Sequence, residues 1–197
     1  DLELKLLGDY AVTAAGTPVP GLNAPRLQEL ITYLIVHHGV PQPRARIAFL
    51  FWPETSDSQA QTNLRQLLHT VRQRLPAAEA HVDFGDRTIH WRAESPAAVD
   101  LLRFKAAAAR AAHKAPVERL ASLRAAVDGY GGELLPGSYS EWLLTERERL
   151  AQQYAALLEQ MVDLYEERRA YDEAIACARR LLTHDPLHER TYRVLMR

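Results

Sequence analysis

Residues 58 to 75 read SQAQTNLRQLLHTVRQRL, and at about 100° per residue Leu64, Leu67, Leu68, Val71 and Leu75 fall on one narrow stripe, with Ala60 at its edge. A helix with such a stripe must bury it, so the fold has to supply a core for this segment. The opposite side carries Gln59, Thr62, Gln66, His69, Thr70 and Gln73. Arg65 and Arg72 flank it on one side, Asn63 and Arg74 on the other, and no acid occurs between Ser58 and Ala78.

An outer face of uncharged hydrogen-bonding groups between arginines suits a helix in the major groove of double-stranded DNA, where amides and hydroxyls reach base edges and guanidinium groups meet phosphates. An ordinary amphipathic helix with a solvated outer face is the alternative, and the flanking sequence has to decide between them. Leu2, Leu4 and Leu6 alternate with Glu3 and Lys5, the period-two pattern of a half-buried strand. Further short strands are expected at residues 10 to 14 and 17 to 19, across a turn at Ala15 and Gly16. A first helix follows, with Asn23 as N-cap, Pro25 in its first turn and Leu27, Leu30, Ile31, Leu34 and Ile35 at helical spacing as far as Gly39. Pro43 opens a second helix that stops before Phe51. Ser56 and Gln59 resemble a capping box for the third. After Pro76, Val82 and Phe84 alternate, then Ile89 and Trp91, across Gly85 and Asp86: a hairpin.

Strands, three helices and a terminal hairpin in this order are those of a winged helix-turn-helix of the response-regulator effector type, whose third helix reads DNA and whose hairpin is the wing. The fold class expected for residues 1 to 98 is therefore an α+β winged helix-turn-helix DNA-binding domain. From residue 99 the chain turns alanine-rich and wholly helical. Helices are expected at about 100 to 113 and 116 to 128, then, beyond a glycine-rich loop at 129 to 138, at 140 to 168, 172 to 184 and 188 to 197. Tyr165, Tyr171, Ala174 and Pro186 sit at the spacing of a degenerate tetratricopeptide pair. This makes residues 99 to 197 an all-α, tetratricopeptide-like domain. Because the last helix lacks a following partner, and the chain starts at Asp1 without methionine, the 197 residues are expected to be a piece of something longer.

Together these stretches resemble the Streptomyces antibiotic regulatory protein type of activator, an effector-type winged helix fused to a bacterial transcriptional activation domain. The resemblance rests on LELKLLGDY at 2 to 10, LFWPE at 50 to 54, NLRQLLHTVRQRL at 63 to 75, GGELLPG at 131 to 137, EWLLTERERL at 141 to 150 and YDEAIACARRLLTHDPLHERTYRVLMR at 171 to 197. It implies a transcription regulator that binds direct-repeat promoter sites as a side-by-side pair and contacts RNA polymerase or another protein through its helical domain. Relatives are more basic along the third helix, whereas here His69 and Gln73 occupy outer positions.

Asn63, Gln66 and Gln73 are the candidate base readers, since a carboxamide pairs bidentately with adenine N6 and N7; Asn63, at the flank, is equally well placed to bond backbone instead. His69 and Thr70 share their face. Arg65, Arg72 and Arg74 are expected at phosphates or guanine, because no acid lies within one turn of Arg65 or Arg72 along the helix. Arg87, at the hairpin turn, is a candidate for the minor groove, and Arg26 for a phosphate beside backbone N–H groups. Each of these two is equally well an exposed surface arginine. Trp52 and Trp91 are read as packing residues.

Charge does not favour DNA by itself. Residues 1 to 98 carry nine basic and ten acidic side chains, and residues 99 to 197 fifteen of each, so any attraction has to come from local clusters. A protein-interaction scaffold whose winged helix does not bind DNA therefore stands as the competing reading. No glycine-rich phosphate loop, cysteine pair or His-Glu-x-x-His run is present, so no enzyme, cofactor or metal is expected. His184 and His188 are separated by Pro186, which breaks the helix between them. Glu141, Glu146 and Glu148 beside Arg147 and Arg149 are read as solvated charge pairs. The single Cys177 excludes an internal disulfide, favours a reducing, cytoplasmic location and is read as inert packing. No apolar run is long enough for a membrane span.

Overall fold

The computed structural model describes residues 1–112, 116–184 and 191–192, with the side chains of 116 and 117 left out. By its internal contacts the chain divides into two units, one of Asp1–Val99 with Leu135–Ser138, the other of Asp100–Leu134 with Tyr139–Arg197. Val99 and residues 135–138, which lie in the helical half of the sequence, thus pack with the first.

In the first unit β1 (Leu2–Lys5) pairs antiparallel with β2 (Ala11–Ala14), and β2 with β3 (Thr17–Pro18). The turn between β2 and β3 is made by Ala15 and Gly16, both at positive φ. Helix α1 (Pro25–Val36) follows, then strand β4 (Gln42–Pro43), α2 (Arg44–Phe51), α3 (Asp57–Arg74), the single turn α4 (Ala78–His81) and the hairpin β5 (Val82–Asp83) and β6 (Thr88–Trp91). Strand β7 (Ala98–Val99) closes the unit by pairing parallel with β1. Two sheets result, in the orders β3-β2-β1-β7 and β4-β6-β5.

Three local expectations are corrected. Ala24, not Asn23, caps α1, and the Asn23 backbone carbonyl instead accepts from Gln28 Nε2 at 3.1 Å. The second helix runs through Phe51, whose ring is buried and stands edge-on to Tyr33, so burial of the aromatic extends the helix by a residue. Pro43, taken as the opening of that helix, instead forms with Gln42 an edge strand against Thr88 and Ile89, a place where proline's missing N–H is tolerated.

The core gathers Leu4, Leu6, Leu30, Leu34, Ile47, Phe51, Leu64, Leu68, Val71, Ile89 and Trp91, each at most 4% exposed. Truncating one of these leucines to alanine costs about 2–5 kcal/mol, so the inner face of α3 is fixed by packing rather than by helix propensity.

In the second unit α5 (Asp100–Ala112) packs on α6 (Pro116–Gly129), α6 on α7 (Glu141–Glu167), and α7 on α8 (Tyr171–His184). The expected helix at 188 to 197 lies largely outside the described residues. The α7 charge run is corrected. Arg147 is 8% exposed, its Nε donates to the Leu134 carbonyl at 2.7 Å and its Nη1 meets Glu133 at 2.5 Å. Glu146 is also mostly buried, between Lys105 Nζ at 3.1 Å and Arg149 Nη2 at 2.6 Å. Burial raises its carboxyl pKa, but the Arg149 and Lys105 bonds outweigh this and hold it below the usual value. Arg147 and Glu146 are thus drawn into the interior, whereas Glu141, Glu148 and Arg149 stay exposed as the solvated reading has them. Among the described residues no helix is long and apolar enough to cross a membrane.

Candidate nucleic-acid interface

Helix α3 starts where Ser56, in extended backbone, accepts the Gln59 N–H on its hydroxyl at 3.4 Å. Only half of the expected capping box forms, because the Gln59 carboxamide turns forward and donates to Asn63 Oδ1 at 2.9 Å. Ala60, Leu64, Leu68, Val71 and Leu75 are buried, while Leu67 is only half-buried. Arg65, Gln66, His69, Arg72, Gln73 and Arg74 are exposed. His69, Thr70, Gln73 and Arg74 line one shallow, open depression on this outer side.

The candidate residues are not equivalent once their partners are known. Among the described residues Gln66, His69 and Gln73 have no side-chain hydrogen bond or ion pair, so their polar groups are available to a ligand. Thr70 donates its hydroxyl proton to the Gln66 carbonyl at 3.0 Å, and Thr62 donates likewise to Ser58, which leaves each hydroxyl an acceptor and a methyl. Asn63 is half-buried, with its carboxamide oxygen taken by Gln59; its NH2 remains.

Arg72 corrects the premise that it lacks an acid. Leu75 leaves α3 in extended backbone, and Ala77 at φ 50° reverses the chain, which brings α4 back along the helix. Glu79 then meets Arg72 Nε at 2.9 Å, and the guanidinium lies 4.5 Å above the Phe84 ring. The acid was sought along the helix and comes from beyond it. Both members are about half or more exposed, so the pair is worth under about 1 kcal/mol and competes only weakly with a phosphate. Arg26 is also engaged. Its Nη1 pairs with Glu29 at 3.0 Å, and the Glu29 carboxylate, 7% exposed, accepts a further bond from the Ser138 hydroxyl. This arginine balances a buried acid instead of standing free at a helix start. Arg74 has no acid among the described residues and lies along Gly21, whose ideal Cβ position is 3.4 Å from Arg74 Nε.

Arg65 and Arg87 converge. The β4–β6 pairing sets Pro43 opposite Thr88, and the Arg44 N–H donates to the Arg87 carbonyl at 2.9 Å, so the start of α2 is tied to the hairpin turn. Gly85 lets that turn close, since a Cβ there would stand 2.9 Å from the Thr88 carbonyl oxygen. Between this turn, α2 and α3 opens a cleft of about 330 Å³ lined by Arg44, Gln61, Arg65, Asp86 and Arg87 over Leu64 and Leu68. Arg44 was missed by sequence reasoning. No pattern within residues 41 to 46 marks it; only the two-residue strand brings it beside Arg87.

Behind the hairpin, Trp91 is 1% exposed and His81 stacks on it at 5.7 Å, with its Nδ1 bonded to Ser95 Oγ at 2.8 Å. Burial lowers the His81 pKa from its ordinary value. Trp52 is half-buried against Phe51. Among the described residues no group of three or more His, Cys, Asp or Glu side chains could hold a metal ion, and His188 lies outside them.

The family model of the bacterial transcriptional activator domain matches residues 99–197. The chain belongs to that family. Bacterial transcriptional activator domain proteins are transcription regulators, not an enzyme class, and the resemblance to Streptomyces antibiotic regulatory protein activators drawn from the sequence holds. Regulatory protein AfsR of Streptomyces coelicolor is 27% identical over 178 residues, 88% of this chain. The chain spans only 18% of that relative's length. A solved structure of Mycobacterium tuberculosis EmbR in complex with a low-affinity phosphopeptide aligns over 98% of this chain and 65% of its own, with a TM-score of 0.58 and 19% identity. That likeness shows a shared, helix-rich fold with a small N-terminal sheet.

Proposed function

We propose that the first unit is a winged helix-turn-helix that binds promoter DNA sequence-specifically, with α3 in the major groove and the β5–β6 hairpin as the wing beside the backbone and minor groove. The second unit, the activator domain, makes the protein contacts, with RNA polymerase or another regulator as partner, and two copies sit side by side on direct repeats. The observation that carries this reading is the outer face of α3: among the described residues Gln66, His69 and Gln73 are exposed and unpartnered, next to Arg65 and Arg74, which no acid neutralises. A solvated helix of a nearly neutral unit has no need to hold such a face free of acids from Ser58 to Leu75.

Selection of bound duplexes from random DNA by the full chain, followed by fluorescence titration, tests the proposal. Gln66→Ala should relax base preference at one position, at a cost of about 1–3 kcal/mol against the preferred base. Arg65→Ala should weaken binding on all sequences and lower the salt slope by about one unit. Arg72→Ala should do less, since Glu79 already occupies its Nε. The balance of nine basic and ten acidic residues in 1 to 98 favours the competing reading, a protein-interaction scaffold. A folded chain that enriches no duplex would establish that reading and end this one.

A further inference from the structure

We infer that the cleft between α2, α3 and the β5–β6 turn is the seat of one backbone phosphodiester of duplex DNA, with Arg44 as its third cationic ligand beside Arg65 and Arg87. The inference rests on the DNA-binding reading and assigns a residue that the α3 face does not contain.

Three guanidinium groups line this one cleft, and none has an ion pair or side-chain hydrogen bond among the described residues. Elsewhere in the unit the contrast is clear: Arg26 is held by Glu29, Arg72 by Glu79, and Arg92 by Asp83 and Glu94. Among the described residues Asp86 is the only acid on the cleft wall, which leaves an excess of two positive charges within one small volume. Arg44 Nε is in addition buried without any hydrogen-bond partner. Like charges around one cavity repel. A single anion with several acceptor oxygens relieves that repulsion, and the planar guanidinium fork matches phosphate oxygens in particular.

Placement distinguishes a DNA phosphodiester from a free anion. Arg65 directly precedes Gln66 on α3, so a phosphate held in the cleft belongs to a strand whose bases face the outer side of that helix. The cleft also cannot shift independently of the wing, because the Arg44 N–H bond to the Arg87 carbonyl and the Pro43–Thr88 pairing fix the two walls together. Arg87 is therefore assigned to the backbone beside the groove and not to insertion in the minor groove. The phosphate sets register, and the carboxamides of α3 read sequence.

The test uses the full chain and a duplex recovered by its own selection. Arg44→Ala should weaken binding about tenfold or more and reduce the slope of log K against log salt by about 0.9, with base preference unchanged. Arg44→Lys should keep the slope and recover only part of the affinity. Replacing phosphates one at a time by uncharged methylphosphonate should reveal one position where the parent chain loses affinity and Arg44→Ala loses no more. Circular dichroism checks the fold of each variant, and Arg44→Gln stands in if the alanine variant misfolds. If the chain binds DNA and Gln66→Ala relaxes its specificity while Arg44→Ala leaves affinity and slope unchanged, the cleft assignment is wrong and the α3 reading survives. The cleft assignment fails in the same way if the Arg44→Ala loss adds in full at every methylphosphonate position. If no duplex binds at all, both fall together.

Discussion

Arg147 offers the sharpest test of how the second unit is held together. In Arg147→Met the stem is kept and the guanidinium lost, so little cavity opens. What disappears is the 2.7 Å bond from Nε to the Leu134 carbonyl, a residue with 0% exposure, together with the Glu133 pair. A hydrogen bond from a charged donor is worth about 1.5–3 kcal/mol, and the carbonyl left buried without a partner adds to the loss. The Glu133 side chain is 53% exposed, so its share is screened to under about 1 kcal/mol. The Tyr139 ring, 6.0 Å from the guanidinium and itself exposed, adds about 0.5 kcal/mol at most. The sum is a destabilisation of about 2–3 kcal/mol, which for a unit of about a hundred residues lowers the melting midpoint by roughly 10–20 °C. Urea denaturation and thermal melting of the full chain, followed by circular dichroism, measure it, with Glu133→Gln as control at under about 1 kcal/mol. An Arg147→Met chain within about 0.5 kcal/mol of the parent would refute this account. So would a Glu133→Gln chain that loses as much, because the ion pair and not the carbonyl bond would then be the stabilising contact.

Acid should loosen the first unit through His81. Burial lowers its pKa in the folded state, so below about pH 6.5 the unfolded chain takes up the proton first and stability falls as pH drops from 7 towards 5. His81→Phe should flatten that slope in urea titrations at several pH values, and an unchanged slope would count against the assignment. Gly85→Ala brings a Cβ to 2.9 Å from the Thr88 carbonyl oxygen; a loss of about 1–3 kcal/mol in urea denaturation is expected, whereas parental stability would show that the turn adapts freely. Cys177 is 7% exposed, and burial pushes its thiol pKa up against the opposing pull of Arg180 and Arg124. Iodoacetamide at pH 8 should label it only after denaturation, and equal rates in native and unfolded chains would contradict this.

Much of α3 was legible because its period of 3.6 is strong over five turns, and the hairpin because Val82, Phe84, Ile89 and Trp91 alternate across Gly85 and Asp86. Strands β4 and β7 were not, since two residues carry no period. Each is defined by partners far along the chain: Gln42 faces Ile89, and Val99 faces Leu4. The same distance hid the Arg44 cleft. Arg72's partner was missed because the reversal at Ala77 uses a non-glycine residue at positive φ, a conformation its sequence does not announce. Arg147 is different: the signal was there. It falls on the stripe of Leu143, Leu150 and Tyr154 at spacings of four, three and seven, so the helical period placed it inward while its charge suggested the surface.

The pairing of Leu135 N–H with the Leu6 carbonyl at 2.8 Å, and of Ser138 with buried Glu29, means that the first unit is visited twice by the chain. In topological terms, α5 and α6 are an insertion spliced between two parts of that unit. A single cut near residue 99 would strip away Leu135, 1% exposed, and leave the Leu6 carbonyl and one Glu29 oxygen without these donors. Exchanging the first unit between regulators of this kind therefore calls for three junctions, one at each end of the inserted helices and one after Ser138, and a transplant made with one should arrive destabilised.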